Sequence, residues 1–226
     1  MIVGTRKAIA EIQEMIRGYD RILIAGCDTC VAECAAGGRK EVAELAAVLQ
    51  LALCQAGQTK EIQEISVDRQ CIHEFLLDVV EAGEKVDAVL SIACGAGVQA
   101  LAARLPKTPV FPGLNTLFIG ETSQRGVWQE NCRGCGDCML AVTGGICPVS
   151  RCAKSLFNGP CGGASNGMCE INISKKLDPP VPCAWQQIYE RLQALDQMDA
   201  FMKIVPPKDW SQGEQPRRVI RPDQQS

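Results

Sequence analysis

The first 125 residues alternate continuous apolar runs with amphipathic stretches. Apolar runs predict buried strands at residues 21–25 and 86–93, alternation predicts a strand at residues 61–67, and residues 108–111 are predicted to form a short fourth strand. Apolar residues at helical spacing predict helices at residues 5–17, 40–55, 72–82 and 98–105. Because strands that alternate with helices form parallel sheets through right-handed crossovers, we expect residues 1–125 to be an α/β domain with a parallel sheet of the Rossmann or flavodoxin-like kind.

This periodicity is lost over residues 126–182, which contain seven cysteines and nine glycines. A segment with so little apolar material needs an internal cross-link such as a metal in order to fold, so we expect a small Cys-rich iron–sulfur domain here. Helical spacing returns at residues 183–226, where Trp185, Ile188 and Leu192 mark one face of a C-terminal helix. We interpret the stripe that contains Trp185 as core.

The polar end of the chain, from residue 205 onward, is predicted to be extended. Trp210 stands there among polar residues as a large apolar ring with no local partner, and Arg217, Arg218 and Arg221 follow it. Large rings of this kind are enriched at interface anchors, so we expect the tail to help hold a partner subunit.

Charge and hydropathy narrow the class of protein. The net charge is −3 and 22% of the residues are charged, which gives no basic excess for a nucleic acid or an anionic membrane. No run approaches the roughly 20 apolar residues of a membrane span, and the N-terminus lacks the pattern of a signal peptide. We therefore expect a cytoplasmic protein.

The 14 cysteines are the chemically informative residues, since the chain has a single histidine, His73. A reducing cytosol does not maintain disulfides, and grouped cysteines there more often bind metal. Almost purely thiolate ligation leaves two leading alternatives, a four-thiolate zinc site and an iron–sulfur cluster.

A tight cysteine run carries the strongest motif. Cys132-x2-Cys135-x2-Cys138 is followed after eight residues by Cys147-Pro148, an arrangement similar to that of bacterial ferredoxins but with a longer last gap. Three thiolates in one loop suit three corners of a cubane, whereas structural zinc usually takes two separated pairs. The fourth ligand stays open, because several other cysteines follow: Cys152, Cys161, Cys169 and Cys183.

A second group of cysteines is brought together only by the predicted fold. Cys27-x2-Cys30-x3-Cys34 follows the first predicted strand of the parallel sheet, Cys71 follows the second, and Cys94 follows the third. Ligands of open parallel sheets bind at the carboxyl ends of the strands, so these thiols should converge on one rim. Five candidates for four corners leave one cysteine as a neighbour, and the sequence does not say which.

Other features favour less specific readings. The first β–α loop lacks the glycine fingerprint of a dinucleotide site, and no set of catalytic residues stands out. Cys54 lies in an apolar helical run and is predicted to be a buried core thiol, while His73 is expected at the surface. The glycines of residues 158–163 favour a tight turn around a metal site over a phosphate loop.

Taken together, these motifs resemble the MetV family, whose members carry the methylenetetrahydrofolate reductase C-terminal domain. The resemblance extends over nearly the whole chain. It is carried by GCDTCVAECAAGGRKEVAEL at 26–45, DRQC at 68–71, ACGAGVQ at 93–99, PGLNTLFIG at 112–120, the Cys132 run, CAKSLFNGPCGG at 152–163, NGMCE at 166–170 and CAWQQIYERL at 183–192. Asp28 departs from the pattern, which has a small glycine there, and a carboxylate beside a cluster would lower its potential.

The resemblance implies an electron-transfer subunit rather than a complete enzyme. Such a chain holds two [4Fe-4S] clusters and pairs with a MetF-type catalytic subunit, which carries FMN and reduces methylenetetrahydrofolate to methyltetrahydrofolate in the reductive acetyl-CoA (Wood–Ljungdahl) pathway. Further electron-donor subunits are compatible with this role, and no activity is expected from the chain alone. A zinc-binding assembly subunit of the same reductase is the alternative. The candidate metal ligands are Cys27, Cys30, Cys34, Cys71, Cys94, Cys132, Cys135, Cys138, Cys147, Cys152 and Cys161.

Overall fold

The computed structural model describes residues 1–211 and 216–224. The chain divides into two compact units, Met1–Gln129 and Glu130–Ser226, which are called here the N-terminal and C-terminal units and are described separately. Through Cys132 the elements are, in chain order, β1 (Ile2–Arg6), α1 (Ile9–Met15), β2 (Arg21–Cys27), α2 (Cys30–Glu33), α3 (Arg39–Gln55), β3 (Glu61–Val67), α4 (Leu77–Gly83), β4 (Ala88–Ser91), α5 (Gly95–Ala102), β5 (Val110–Pro112), β6 (Leu114–Gln124) and β7 (Val127–Cys132).

Four of these strands form a parallel sheet in the order β3-β2-β4-β5. The chain leaves β2 for β3 on one side and then crosses to β4 on the other side. The point where β2 and β4 separate is therefore the topological switch point, where open α/β sheets bind their ligands. The prediction of an α/β domain with a parallel sheet is confirmed.

Strand β2 is the centre of the unit because both of its faces are buried. Ile22 and Ile24 pack with residues of α1 and α3 on one face, among them Ile12 and Leu45. Leu23 and Ala25 pack on the opposite face with residues of α4 and α5, including Leu101. A strand covered on both sides has a continuous apolar sequence, which explains the run at residues 21–25.

A second sheet of the N-terminal unit was not predicted from the sequence. It is antiparallel, with the order β1-β6-β7, and Ile2 pairs with Ile119 while Arg6 pairs with Leu114. The predicted helix at residues 5–17 is thus shortened to α1, because Thr5 and Arg6 belong to β1. Strand β6 is mostly exposed, so it has little apolar periodicity by which a sequence reading can recognise it.

The C-terminal unit contains short helices separated by irregular loops. Beyond β7 they are α6 (Pro148–Arg151), α7 (Ile171–Lys175), α8 (Ala184–Ala194) and α9 (Met198–Phe201). Its apolar centre consists of Cys183, Trp185, Ile188 and Leu192, with partly buried neighbours that include Cys152. Helix α8 thus supplies most of this small core, and the prediction that Trp185 is a core residue is confirmed.

Among the described residues, no helix is both long enough and apolar enough to cross a bilayer.

The turn that carries Cys30 and Cys34 is held against the sheet at Gly37. The Gly37 carbonyl accepts a hydrogen bond from the Cys27 amide (2.9 Å), and a Cβ at this position would lie 1.9 Å from the backbone oxygen of Ile92. Only a residue without a side chain allows this approach.

Replacing Gly37 by Ala should lower the free energy of unfolding by about 1–3 kcal/mol, since the added methyl group must push the cysteine turn away from β4. Gly18→Ala is the matched control, because nothing lies within 4 Å of its added Cβ. Urea denaturation of the two variants checks this expectation. Equal stabilities would show that the turn is not tightly docked on the strand.

Candidate functional site

Two cysteines meet at the switch point of the parallel sheet. Cys27 is the last residue of β2, and Cys94 follows β4 as the residue that caps the N-terminus of α5. Burial raises the pKa of the Cys27 thiol, and the neighbouring Cys94 acts in the same direction. The Cys27 Sγ lies 3.7 Å from the Asp68 carbonyl oxygen, which follows β3. The residues that end three parallel strands therefore approach one another at this rim.

The short turn after β2 holds two further thiols in different surroundings. Cys30 begins α2 and is partly buried. Cys34 is buried, and its Sγ accepts a hydrogen bond from the Gly4 amide of β1 at 3.4 Å. Burial raises the pKa of the Cys34 thiol, and the nearby Cys30 adds to the effect. Of the five rim candidates, Cys34 is the one whose sulfur already has a partner on the antiparallel sheet.

A buried glutamine that the sequence reading missed fixes the loop after β3. Gln70 is fully buried, and its Nε2 donates to the carbonyl oxygens of Ala25 (2.9 Å) and Gly26 (3.0 Å) in β2. The Ser91 hydroxyl at the end of β4 donates to Gln70 Oε1 at 2.7 Å. Gln70 thus joins three strand ends and positions the adjacent, exposed Cys71 beside them. The sequence signal that could have identified Gln70 is its position directly before Cys71, a candidate ligand.

Asp28 has a structural partner that the sequence did not reveal. Its Oδ1 accepts a hydrogen bond from the Arg39 amide at 2.6 Å, at the start of α3, and its Oδ2 pairs with the Arg39 guanidinium at 3.3 Å. A carboxylate at a helix N-terminus satisfies a free amide and complements the helix dipole. This pairing accounts for an acidic residue at a position where relatives are expected to have glycine.

In the C-terminal unit, residues 132–138 form a tight loop, called here the cysteine loop. Gly134 and Gly136 adopt positive φ angles of 61° and 87°, conformations that let the chain turn back between successive cysteines. The Gly134 amide donates to the Cys132 Sγ at 3.3 Å. Amide-to-sulfur hydrogen bonds of this kind set the potentials of iron–sulfur clusters. Cys147 lies further along the chain, at the start of α6.

The remaining cysteines of this unit surround a single cavity of about 490 Å³. It is lined by Cys152, Cys161, Cys169 and Cys183, and is called here the four-cysteine cavity. Two of its residues, Cys152 and Cys161, were predicted as ligands, whereas Cys169 and Cys183 were named only as cysteines that follow the run. Lys154, also in the lining, forms an ion pair with Glu170; the hydrogen bond to Glu170 and then the charge interaction with Cys161 raise the pKa of Lys154.

Across the part of the chain that the structure describes, no three Cys, His, Asp or Glu side chains are grouped closely enough to hold a single metal ion. The donor sets still suit thiolate-bound clusters. Cys27 and Cys94 lie near each other at the switch point, and positive-φ glycines separate the three cysteines of the cysteine loop. The burial that raises the thiol pKa of Cys27 and Cys34 also means that ligation there must displace protons.

Two predictions about individual residues are wrong. Cys54 is exposed, because the phase of α3 buries Leu49 and Leu53 and turns the next residue to solvent. Trp210 has a local partner: its ring lies 6.0 Å from that of Phe157, and Lys208 sits over it. His73 is exposed as expected and accepts a hydrogen bond from Arg104. Parts of the predicted partner-binding tail, residues 212–215 and 225–226, lie outside the described residues.

Residues 205–217 contact the cysteine loop where the structure describes them. The Lys208 ammonium donates to the Asp137 carbonyl oxygen at 2.7 Å, and the Arg217 guanidinium donates to the Gly134 carbonyl oxygen at 3.0 Å. These cations lie beside a loop that would carry thiolate charge, so this segment also supports the candidate site.

Comparisons with known proteins bear on the C-terminal half of the chain. Residues 111–211 match the family model described as "Methylene-tetrahydrofolate reductase C terminal". A search of curated proteins finds no match.

Among solved structures, the chain is similar to the crystal structure of an extracellular ligand-binding receptor from Verminephrobacter eiseniae ef01-2, with 19% identity and a TM-score of 0.34. That match covers 46% of this chain and 28% of the receptor, and it carries no argument about fold or function.

The family match contains both the cysteine loop and the four-cysteine cavity. It also contains the whole of PGLNTLFIG at residues 112–120, because the match begins at Phe111. Residues 111–211 of this chain are therefore similar to the methylene-tetrahydrofolate reductase C-terminal family, which is consistent with a MetV-type protein.

Proposed function

We propose that this chain is the iron–sulfur electron-transfer subunit of a methylenetetrahydrofolate reductase. In this role it passes electrons to the FMN of a MetF-type partner, which reduces methylenetetrahydrofolate to methyltetrahydrofolate. The observation that carries the proposal is the family match over residues 111–211, a segment that contains the cysteine loop.

The distribution of thiols supports a redox role over a catalytic one. Candidate ligands lie in both units, at the rim of the parallel sheet and in the cysteine loop. The described residues of the N-terminal unit place cysteines at the switch point, where a nucleotide-binding α/β protein has its glycine-rich loop.

The residues proposed to hold one [4Fe-4S] cluster at the rim are drawn from Cys27, Cys30, Cys71 and Cys94, with Cys34 as the fifth candidate. The second cluster would be held by Cys132, Cys135, Cys138 and Cys147. When bound, such clusters supply one-electron redox chemistry at potentials that depend on charge, hydrogen bonds to sulfur and solvent exposure.

The protein's own residues would tune and protect these sites. Gln70 orients the loop with Cys71, and its two carbonyl contacts to β2 hold the rim in one arrangement. The Gly134 amide donates a hydrogen bond to the Cys132 Sγ, a contact of the kind that influences cluster potentials. The Asp28 carboxylate is paired with Arg39, so the negative charge of Asp28 beside the rim is partly neutralised.

Metal and sulfide analysis tests the proposed sites. Cys94→Ala and Cys135→Ala should each remove about four irons and four sulfides per chain from the anaerobically purified protein, because each change deletes a corner ligand of a different cluster. Cys54→Ala, which changes an exposed thiol on α3, is the matched control and should retain all of the iron.

Circular dichroism should show that all three variants are folded. Stoichiometric zinc with negligible sulfide in the unmodified protein would support the role of an assembly subunit and would contradict the electron-transfer role. Loss of both clusters from either folded variant would contradict the assignment of separate sites.

Reconstitution with the flavin subunit tests whether this chain delivers electrons to the partner. The isolated chain should not reduce methylenetetrahydrofolate, with or without NADH, whereas its complex with the partner should do so from a reduced low-potential dye. Cys135→Ala should reduce this dye-dependent rate to background, and Cys54→Ala should leave it unchanged. Robust turnover by the flavin-free chain alone would contradict the subunit assignment.

A further inference from the structure

The four-cysteine cavity is separate from the cysteine loop and is not used by the function proposed above. Its four cysteines come from distant points of the C-terminal unit: the residue after α6, a glycine-rich loop, the residue before the N-cap of α7, and the N-cap of α8. They are Cys152, Cys161, Cys169 and Cys183. Convergence of thiols from four separate segments on one cavity requires the tertiary structure to position each of them.

Backbone pairing places two of these cysteines. Met168 forms an antiparallel bridge with Pro182, and on either side the Cys169 amide donates to Val181 (3.0 Å) and the Cys183 amide donates to Gly167 (2.8 Å). Asn172 strengthens the pairing through two 2.8 Å hydrogen bonds with Val181. The positions of Cys169 and Cys183 are therefore fixed relative to each other.

Trp185 connects the other two cysteines to the same helix. Its indole Nε1 donates to the Leu156 carbonyl oxygen at 3.1 Å, and its ring lies so close to Gly159 that a Cβ there would be 2.3 Å from it. Leu156 and Gly159 belong to the segment that runs from Cys152 to Cys161. This segment is thus packed onto α8 directly after Cys183.

The surroundings of the cavity suit bound thiolates. The Gly163 amide donates to the Cys161 Sγ at 3.5 Å, which repeats the relation of Gly134 to Cys132 in the cysteine loop. Cys183 caps the N-terminus of α8, a helix of 11 residues, where the helix dipole favours a negative charge. Lys154 supplies a cation at the lining and pairs with Glu170 there.

A single ion and a cluster differ in how close their ligands must lie. Four sulfurs around one zinc lie about 2.3 Å from the metal and so nearly touch one another. Among the described residues, no three side chains of the ligand types are grouped in that way, and the lining of the cavity of about 490 Å³ includes four cysteines. A cubane places iron and sulfide between its ligands, so its cysteine sulfurs stand further apart.

We propose that the four-cysteine cavity holds a third iron–sulfur cluster, a [4Fe-4S] centre ligated by Cys152, Cys161, Cys169 and Cys183. Each thiol gives up its proton to solvent when it binds iron. The cluster would also complete the folding of a unit whose apolar centre is small.

Two exposed thiols provide a comparison within one chain. In the anaerobically purified full-length protein, iodoacetamide should alkylate Cys54 but not Cys161, although both are exposed. After removal of iron with a chelator, Cys161 should react as Cys54 does. Peptide mass spectrometry reads out both residues, and alkylation of Cys161 at the rate of Cys54 before iron removal would overturn the proposal.

Variants of the cavity test its metal. Cys161→Ala and Cys169→Ala should each remove about four irons and four sulfides per chain, and the loss should add to that caused by Cys135→Ala. Cys161 is exposed, so its replacement leaves the core of the unit intact. The Cys161→Ala protein therefore still gives a result if Cys169→Ala fails to fold. Protection of Cys161 by zinc instead of iron, or unchanged iron in a folded Cys161→Ala protein, would contradict a third cluster.

The test separates this inference from the proposed function. Two clusters that respond to Cys94→Ala and Cys135→Ala, together with a freely reactive Cys161, would leave the electron-transfer role standing and reject the third site. Absence of iron from the unmodified protein would reject both.

Discussion

The parallel pairing of β2 with β3 on one side and with β4 on the other is the constraint on which the N-terminal unit depends. Because both faces of β2 are buried, the carboxyl ends of the strands are the part of this sheet that is left for chemistry. Gln70 bridges these ends through hydrogen bonds to β2 and from Ser91. Leaving such buried polar groups unpaired would cost about 1–3 kcal/mol each, so the network favours a single arrangement of the rim.

The C-terminal unit has little apolar packing to stabilise it, because its apolar centre is limited to a few residues of α8 and their neighbours. Local devices replace a large core: positive-φ glycines in the cysteine loop, the Met168–Pro182 bridge, and the packing of Trp185 on Gly159. Each of these devices holds a segment that carries cysteine. The chain thus uses its limited packing to place thiols, and thiolate-bound metal would add the stability that the apolar residues do not supply.

The two units also differ in how their candidate ligands are related. At the rim, topology brings together Cys27 and Cys94, although strands β3 and β4 lie between them along the chain. In the cysteine loop, three cysteines lie close together along the chain itself, within residues 132–138. The same amide-to-sulfur geometry recurs at Cys132 and at Cys161, two residues before the donor glycine in each case. A common local turn therefore serves cysteines in two different surroundings.

The sequence alone determined the parallel α/β sheet, the positions of β2 and β3, and the resemblance that the family match over residues 111–211 confirms. Those features follow from local signals, namely apolar runs, helical spacing and cysteine motifs. Only the tertiary structure decided the antiparallel sheet, the exposure of Cys54, the partner of Trp210 and the convergence of Cys169 and Cys183 on the four-cysteine cavity. These depend on contacts between distant residues, and β1 pairs with a strand more than a hundred residues away, so no local pattern specifies them.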